Sequence, residues 1–239
     1  MKVINDLLGY KNMKIVQDTE MFSFSLDSVL LPHFVTLNKN IDRILDIGCG
    51  NAPIPLILST KTNKKIIGVE IQKEVYDMAV ESVNINNLNE QIEIVNDDIN
   101  YYYKKLESDS FDVITCNPPF FKYLDSSNIN KNDYKTIARH EVKLNLKNIF
   151  MIARKLLKNN GVIAIVHRPD RLIDIITEMK KNNIEPKKIR FVYPKMDSEA
   201  NILLIEGSKN GKPGMKVLPP LYTHLDNGEY TSEVLKYFE

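Results

Sequence analysis

The sequence predicts an α/β fold in which a mostly parallel sheet is covered on both faces by helices. From Arg43 onward, runs rich in Ile and Val alternate with longer segments whose apolar residues recur at helical spacing. The runs are almost continuously apolar, as is typical of strands that are buried on both faces. The short segment 195–199 separates the last two runs and cannot hold a helical crossover, so these two strands must pair antiparallel.

Each element follows from this alternation. The parallel strands are predicted at 43–48, 65–71, 91–97, 111–117 and 161–167, and the antiparallel pair at 188–194 and 200–207. Helices are predicted at 26–38, from about Pro53, at 73–87, at 144–158 and at about 170–182. We expect a single domain of residues 1–239, with an N-terminal extension (1–40) that holds one helix, a core of sheet and helices (41–207) and an extended C-terminal tail (208–239).

The composition excludes several classes of protein. Lys and Arg number 32 against 31 Asp and Glu, so no overall field would attract a polyanion, and a nucleic-acid partner must be argued from local features. Cys49 and Cys116 lack metal-ligand spacing, which indicates neither a disulfide framework nor a metal site. The sequence shows no signal peptide and no run of about 18 apolar residues, so we expect a cytoplasmic protein without a membrane segment. No protein partner is implied.

A glycine turn follows the first predicted strand. Gly48 and Gly50 lie two and four residues after Asp46, where they allow a tight turn and the close approach of a ligand. Dinucleotide-binding turns carry a third glycine that brings a helix N-terminus to the pyrophosphate, whereas this chain has Pro53 at that place. The pattern therefore favours a cofactor without a pyrophosphate, and S-adenosylmethionine is the candidate.

Two acids at the ends of the next strands complete the predicted cofactor site. Glu70 ends the second strand, where an acid can accept both ribose hydroxyls of a bound nucleoside. After the third strand, Asp98 is a better candidate than Asp97 for the amino group of adenine. A tight strand-to-helix turn without a ligand is the alternative, and it leaves both acids unexplained.

The fourth predicted strand ends in the tetrad Asn117-Pro118-Pro119-Phe120, at the edge where open α/β sheets bind ligands. An exocyclic amine of a base is a poor nucleophile because its lone pair is delocalised into the ring. The Asn117 side-chain oxygen and the Pro118 carbonyl can each accept one of its N–H bonds and so localise the lone pair. The prolines preset the backbone, and Phe120 offers a stacking face for an extruded base. The tetrad thus predicts methyl transfer to the amino nitrogen of a base.

With these motifs in place, the chain resembles the bacterial tRNA1(Val) adenine-N6 methyltransferases, a branch of the class I methyltransferases with a seven-stranded sheet. The resemblance is close to full length and includes the opening segment 6–31, IARHE (137–141), HRPDRL (167–172) and the tail from Ser198. It implies S-adenosylmethionine as the cofactor, a tRNA as the partner, and transfer of one methyl group to N6 of adenine 37. It also implies that Gly48, Gly50 and the acids Asp46, Glu70 and Asp98 hold the cofactor, and that the tetrad holds the base.

One position departs from the family pattern. Many adenine-N6 enzymes have Tyr at the fourth place of the tetrad, where this chain has Phe120. Phe is also common there among guanine-N2 methyltransferases of ribosomal RNA, which stay an alternative. Protein glutamine-N5 methyltransferases use the same tetrad but usually bear a helical N-terminal domain that residues 1–40 are too short to form. A non-enzymatic alternative is a cofactor-sensing RNA-binding protein.

The segment 121–143 follows the tetrad directly and is polar and net positive. Its cationic residues, above all Lys122 and Arg139, are candidates for contacts with RNA phosphates. A solvated surface loop is the alternative interpretation of the same segment.

Overall fold

The computed structural model describes residues 1–7, 10, 12–19, 25–118 and 144–238. The strands are β1 (Lys2–Asp6), β2 (Lys14–Asp18), β3 (Arg43–Ile47), β4 (Lys65–Glu70), β5 (Ile92–Asn96), β6 (Phe111–Cys116), β7 (Leu157–His167), β8 (Ile184–Tyr193), β9 (Ile202–Lys209), β10 (Lys216–Val217) and β11 (Leu221–Tyr222). The helices are α1 (Leu26–Phe34), α2 (Pro53–Ser59), α3 (Lys73–Ile85), α4 (Ile99–Tyr102), α5 (Leu146–Leu156), α6 (Leu172–Lys181) and α7 (Ser232–Leu235). Within those ranges, no helix combines the length and the apolar character that a bilayer crossing requires.

The central sheet confirms the predicted α/β architecture. Its main strands lie in the order β5-β4-β3-β6-β7-β9-β8. The first five of these pair parallel, and β9 runs antiparallel to both β7 and β8. The chain order reverses between β3 and β6, and open sheets of this kind bind ligands outside the carboxyl ends of the strands at such a point.

Consecutive strand residues face opposite sides of the sheet, and each side has its own core. Ile44 packs in one apolar cluster with residues of α1, α2 and α3. Its neighbour Leu45 packs in a second cluster with residues of α5 and α6. Both faces are therefore covered, as the almost continuously apolar strands predict.

The N-terminal extension holds more structure than the one helix predicted for it. Strands β1 and β2 form a separate antiparallel pair. The Val16 backbone N–H donates to Ser82 Oγ on α3 at 2.9 Å, and Asn51 Nδ2 donates to the Val16 carbonyl at 2.8 Å. The hairpin thus joins α3 to the loop that follows β3.

Helix α1 ends at Phe34, earlier than the predicted residue 38. The backbone turns to an extended conformation at Val35. The Thr36 N–H and hydroxyl then donate to the buried carboxylate of Glu206, at 2.6 and 2.8 Å. These bonds satisfy the buried Glu206 carboxylate on β9. The chain at Thr36 therefore binds β9 instead of continuing α1 for another turn.

The C-terminal tail is not simply extended. The two-residue strands β10 and β11 both pair parallel with β8. Within the described residues the sheet therefore has nine strands, where seven were predicted. Leu221 and Val234 of the tail are fully buried in the cluster that contains α1.

Candidate active site

The predicted site residues meet at one edge of the sheet because the strands that carry them are parallel and in register. Asp46 on β3 lies beside Thr115 on β6, and Glu70 at the end of β4 lies beside Asn96 on β5. Asn117 directly follows β6. The chain therefore brings both predicted motifs to the point where the strand order reverses.

The glycine turn wraps over the end of β4. The N–H groups of Gly48 and Cys49 both donate to the Val69 carbonyl, at 2.9 and 3.1 Å. Gly48 and Gly50 have φ angles of +69° and +57°, which favour glycine. Apart from its chain neighbours, no atom of the described residues lies within 4 Å of a Cβ built on Gly50, which leaves room for a ligand to approach this position.

The side chain of Glu70 stabilises this turn. Its side chain is buried, Oε2 accepts from the Gly50 N–H at 3.1 Å, and Oε1 accepts from the Gln72 N–H at 2.8 Å. Burial raises the pKa of this carboxyl, while the backbone N–H bonds act in the opposite direction. The Ile71 N–H also interacts with this carboxylate. Because a carboxylate offers about four acceptor positions, Glu70 keeps acceptor capacity for a ligand hydroxyl.

Asp46 is fully buried and only half satisfied. Its Oδ1 accepts from Thr115 Oγ1 at 2.6 Å, whereas Oδ2 has no hydrogen-bond partner among the described residues. Burial raises the pKa of Asp46 to about 7, Thr115 lowers it, and the nearby Glu70 raises it further. A buried carboxyl with an oxygen to spare suits a cationic ligand, since a positive charge would stabilise the ionised form. Together with the open position at Gly50 and the spare acceptor capacity of Glu70, these carboxylates fit a cation that bears a ribose.

Asp98 caps the short helix α4. Its Oδ1 accepts from the backbone N–H and the side-chain Nδ2 of Asn100, both at 2.9 Å. Asn96 donates to the carbonyls of Glu70 and Ile71 at 2.9 and 3.2 Å, which ties the end of β5 to the end of β4. Asp98 thus has a structural role that the sequence did not indicate, and its contact with an adenine amino group stays a prediction.

Asn117 is half-buried, and its Nδ2 donates to Ser28 Oγ on α1 at 3.1 Å. Pro118 is buried beside it. In this orientation, the bond to Ser28 engages the donor end of the amide and leaves Oδ1 available as an acceptor. Pro119, Phe120, Lys122 and Arg139 lie outside the described residues, so their predicted roles stay predictions.

Two hydrogen bonds of the site could not be predicted from the sequence, because each joins residues that are far apart in the chain. Thr115 is a polar residue within an apolar strand, and that contrast is the signal that could have indicated its partner Asp46. Ser28 gave no comparable signal, since a serine in the first turn of a helix ordinarily suggests capping. The cysteines Cys49 and Cys116 are both buried, and burial raises the pKa of each thiol, so both stay protonated.

Comparisons with known proteins bear on this site. The family described as methyltransferase small domain matches residues 12–182. A tRNA1(Val) (adenine(37)-N6)-methyltransferase of Flavobacterium psychrophilum is 26% identical over 205 residues, which cover 85% of this chain and 86% of that protein. The protein of the same name from Flavobacterium johnsoniae is 26% identical over 230 residues, 96% of either chain.

A solved structure supports the fold. A predicted O-methyltransferase of Agrobacterium tumefaciens, protein Atu636, superposes with a TM-score of 0.70 at 17% identity, over 89% of this chain and 95% of that chain. At that identity the likeness concerns architecture alone. The family match, however, extends over well more than half of the sequence, and the chain belongs to the methyltransferase small-domain family.

Proposed function

We propose that this chain is an S-adenosylmethionine-dependent methyltransferase that methylates N6 of an adenine in tRNA, namely adenine 37 of tRNA1(Val). The observation that carries the proposal is the position of Asn117, which follows the strand paired with that of Asp46. An amide acceptor for an amine thus lies at the same sheet edge as the acids and glycines of the cofactor site. The names of the relatives supply the substrate.

The residues of the cofactor site would hold S-adenosylmethionine, which supplies an electrophilic methyl group when bound. Asp46, whose Oδ2 has no hydrogen-bond partner among the described residues, would face the positive charge of the cofactor. Glu70 would accept the ribose hydroxyls, and Gly50 would let the ligand approach the backbone. Asp98 would accept from the adenine amino group of the cofactor.

The chemistry needs an amine nitrogen whose lone pair points at the methyl group. Asn117 Oδ1 and the Pro118 carbonyl would each accept one N–H of the target amine and so direct that lone pair. Positive charge would develop on the nitrogen as it receives the methyl group, and both acceptors would stabilise that charge. The extra proton leaves to solvent afterwards. Asn117 does not ionise and is therefore no general base.

The tRNA would lie along the carboxyl edge of the sheet, in the cytoplasm where tRNA is found. Strands β7 and β8 both pair antiparallel with β9, so they run in the same direction as each other. Because β6 pairs parallel with β7, all three strands end at this edge. Arg168 directly follows β7 and Lys195 follows β8, and both side chains are exposed. Cations in these positions can contact phosphates on either side of the extruded base.

Labelled methyl transfer tests the proposal. The chain is incubated with S-adenosylmethionine labelled in the methyl group and, in separate reactions, with bulk tRNA, bulk ribosomal RNA and protein. We expect label in tRNA. Label in ribosomal RNA alone would support a guanine-N2 enzyme, label in protein would support a glutamine-N5 enzyme, and label in none of the three would support a cofactor-sensing protein. Each of these three results contradicts the proposal.

A further inference from the structure

We propose that Ser28 is a positioning residue that holds the Asn117 side chain in place for catalysis. The inference rests on the proposed function. An acceptor contributes to the reaction only when it already lies where the target amine will be. A side chain that rotates freely between rotamers would spend part of its time away from that place.

The structure supplies a partner for the donor end. Ser28 Oγ accepts from Asn117 Nδ2 at 3.1 Å, and Ser28 is only 6% exposed, so water competes poorly for this bond. A hydroxyl can donate as well as accept, so this bond holds the amide group in place whichever end faces Ser28. The bond to Ser28 therefore keeps the amide at the end of β6, where the target amine is expected.

The hydroxyl itself is held in place by a packed helix. Ser28 lies in the first turn of α1, where its N–H donates to the Ser25 carbonyl at 3.1 Å. The next residues, Val29, Leu30 and Leu31, are at most 1% exposed. Because α1 is fixed by its core side, the position of Ser28 is set before any substrate binds, as preorganised catalysis requires.

The test combines single-turnover methylation of tRNA with separate binding measurements. Ser28→Ala should lower the rate at saturating cofactor and tRNA by about three- to tenfold, the effect of losing one ordinary hydrogen bond. The dissociation constants of both ligands should stay within about twofold. Ser110→Ala is the matched control, because Ser110 is another buried serine with a hydrogen-bonded hydroxyl, at the amino end of β6 and far from the site. This control should keep the parent rate.

A double-mutant cycle separates positioning from a merely structural role. In an Asn117→Ala background, Ser28→Ala should cause no further loss of rate, because there is no amide left to hold in place. An equal loss in both backgrounds would overturn the inference. Ser28→Thr retains the hydroxyl and should recover most of the rate.

Ser28→Cys covers the case in which the alanine variant fails to fold. The thiol has nearly the same volume but accepts hydrogen bonds weakly, so this variant should show the same three- to tenfold loss. A parent that transfers methyl groups to tRNA, with a folded Ser28→Ala or Ser28→Cys at the parent rate, overturns this inference alone. A parent without any transfer to tRNA overturns the proposed function, and this inference with it.

Discussion

Replacement of Asn117 by Ala separates chemistry from binding. The change removes Oδ1, one of the two proposed acceptors for the target amine, and it also removes the bond from Nδ2 to Ser28. Loss of that internal bond should lower the free energy of unfolding by about 0.5–1.5 kcal/mol, which leaves the chain folded. The contacts of Asp46 and Glu70 involve other residues, so cofactor affinity should not change.

The effect on rate should be much larger. The acceptor bond strengthens as charge develops on nitrogen, so its loss should act on turnover, by roughly 10²–10³-fold if it resembles the loss of one preorganised oxyanion-hole donor. Single-turnover methylation of tRNA at saturating concentrations measures this step alone. Asn117→Asp keeps an acceptor oxygen and should retain part of the activity. An Asn117→Ala rate within about threefold of the parent would refute the mechanism, because this is less than 1 kcal/mol of transition-state stabilisation.

Three further predictions concern charge. Cofactor affinity should rise as the pH increases through about 7, because buried Asp46 ionises there. Calorimetry should show that binding releases a proton. The Asp46→Asn variant should bind the cofactor more weakly and with an affinity that does not depend on pH. Burial lowers the pKa of His167 to about 4, so the stability that its neutral form contributes above pH 6.5 is lost as the pH falls towards 4. In urea unfolding, His167→Gln should lose less free energy of unfolding than the parent over this pH range. An equal dependence of that free energy on pH in both proteins would contradict this. Binding of tRNA should weaken steeply as the salt concentration rises. Lys195→Ala should reduce the slope of log K against log[salt] by about one, whereas Lys212→Ala, at the opposite edge of the sheet, should leave the slope unchanged. A parent whose affinity does not depend on salt would exclude phosphate contacts at the carboxyl edge.

The strands and helices of the core could be predicted from sequence because their signals are local. The apolar runs from Arg43 onward set both the parallel strands and the cover on each face, and the short 195–199 segment required the antiparallel pair. The placement of Asp46, Glu70 and Asn117 at one edge follows from the same pattern, because the carboxyl ends of parallel strands coincide. Their roles towards the cofactor and the base, and the single-domain organisation, stay predictions.

The features that sequence did not predict depend on distant partners. Strand β2 is held by Ser82 and Asn51, and the two-residue strands β10 and β11 exist only by pairing with β8. The bond between Asn117 and Ser28 likewise joins residues far apart in the chain. No local pattern encodes such contacts, since the partner residue decides the conformation.

Mass spectrometry of the nucleosides of purified tRNA1(Val), after incubation with the protein and S-adenosylmethionine, tests the proposed function most directly. We expect N6-methyladenosine in the anticodon-loop fragment that contains position 37, formed by the parent and strongly reduced with Asn117→Ala. N2-methylguanosine in its place, or a tRNA that carries no new methyl group, would contradict it.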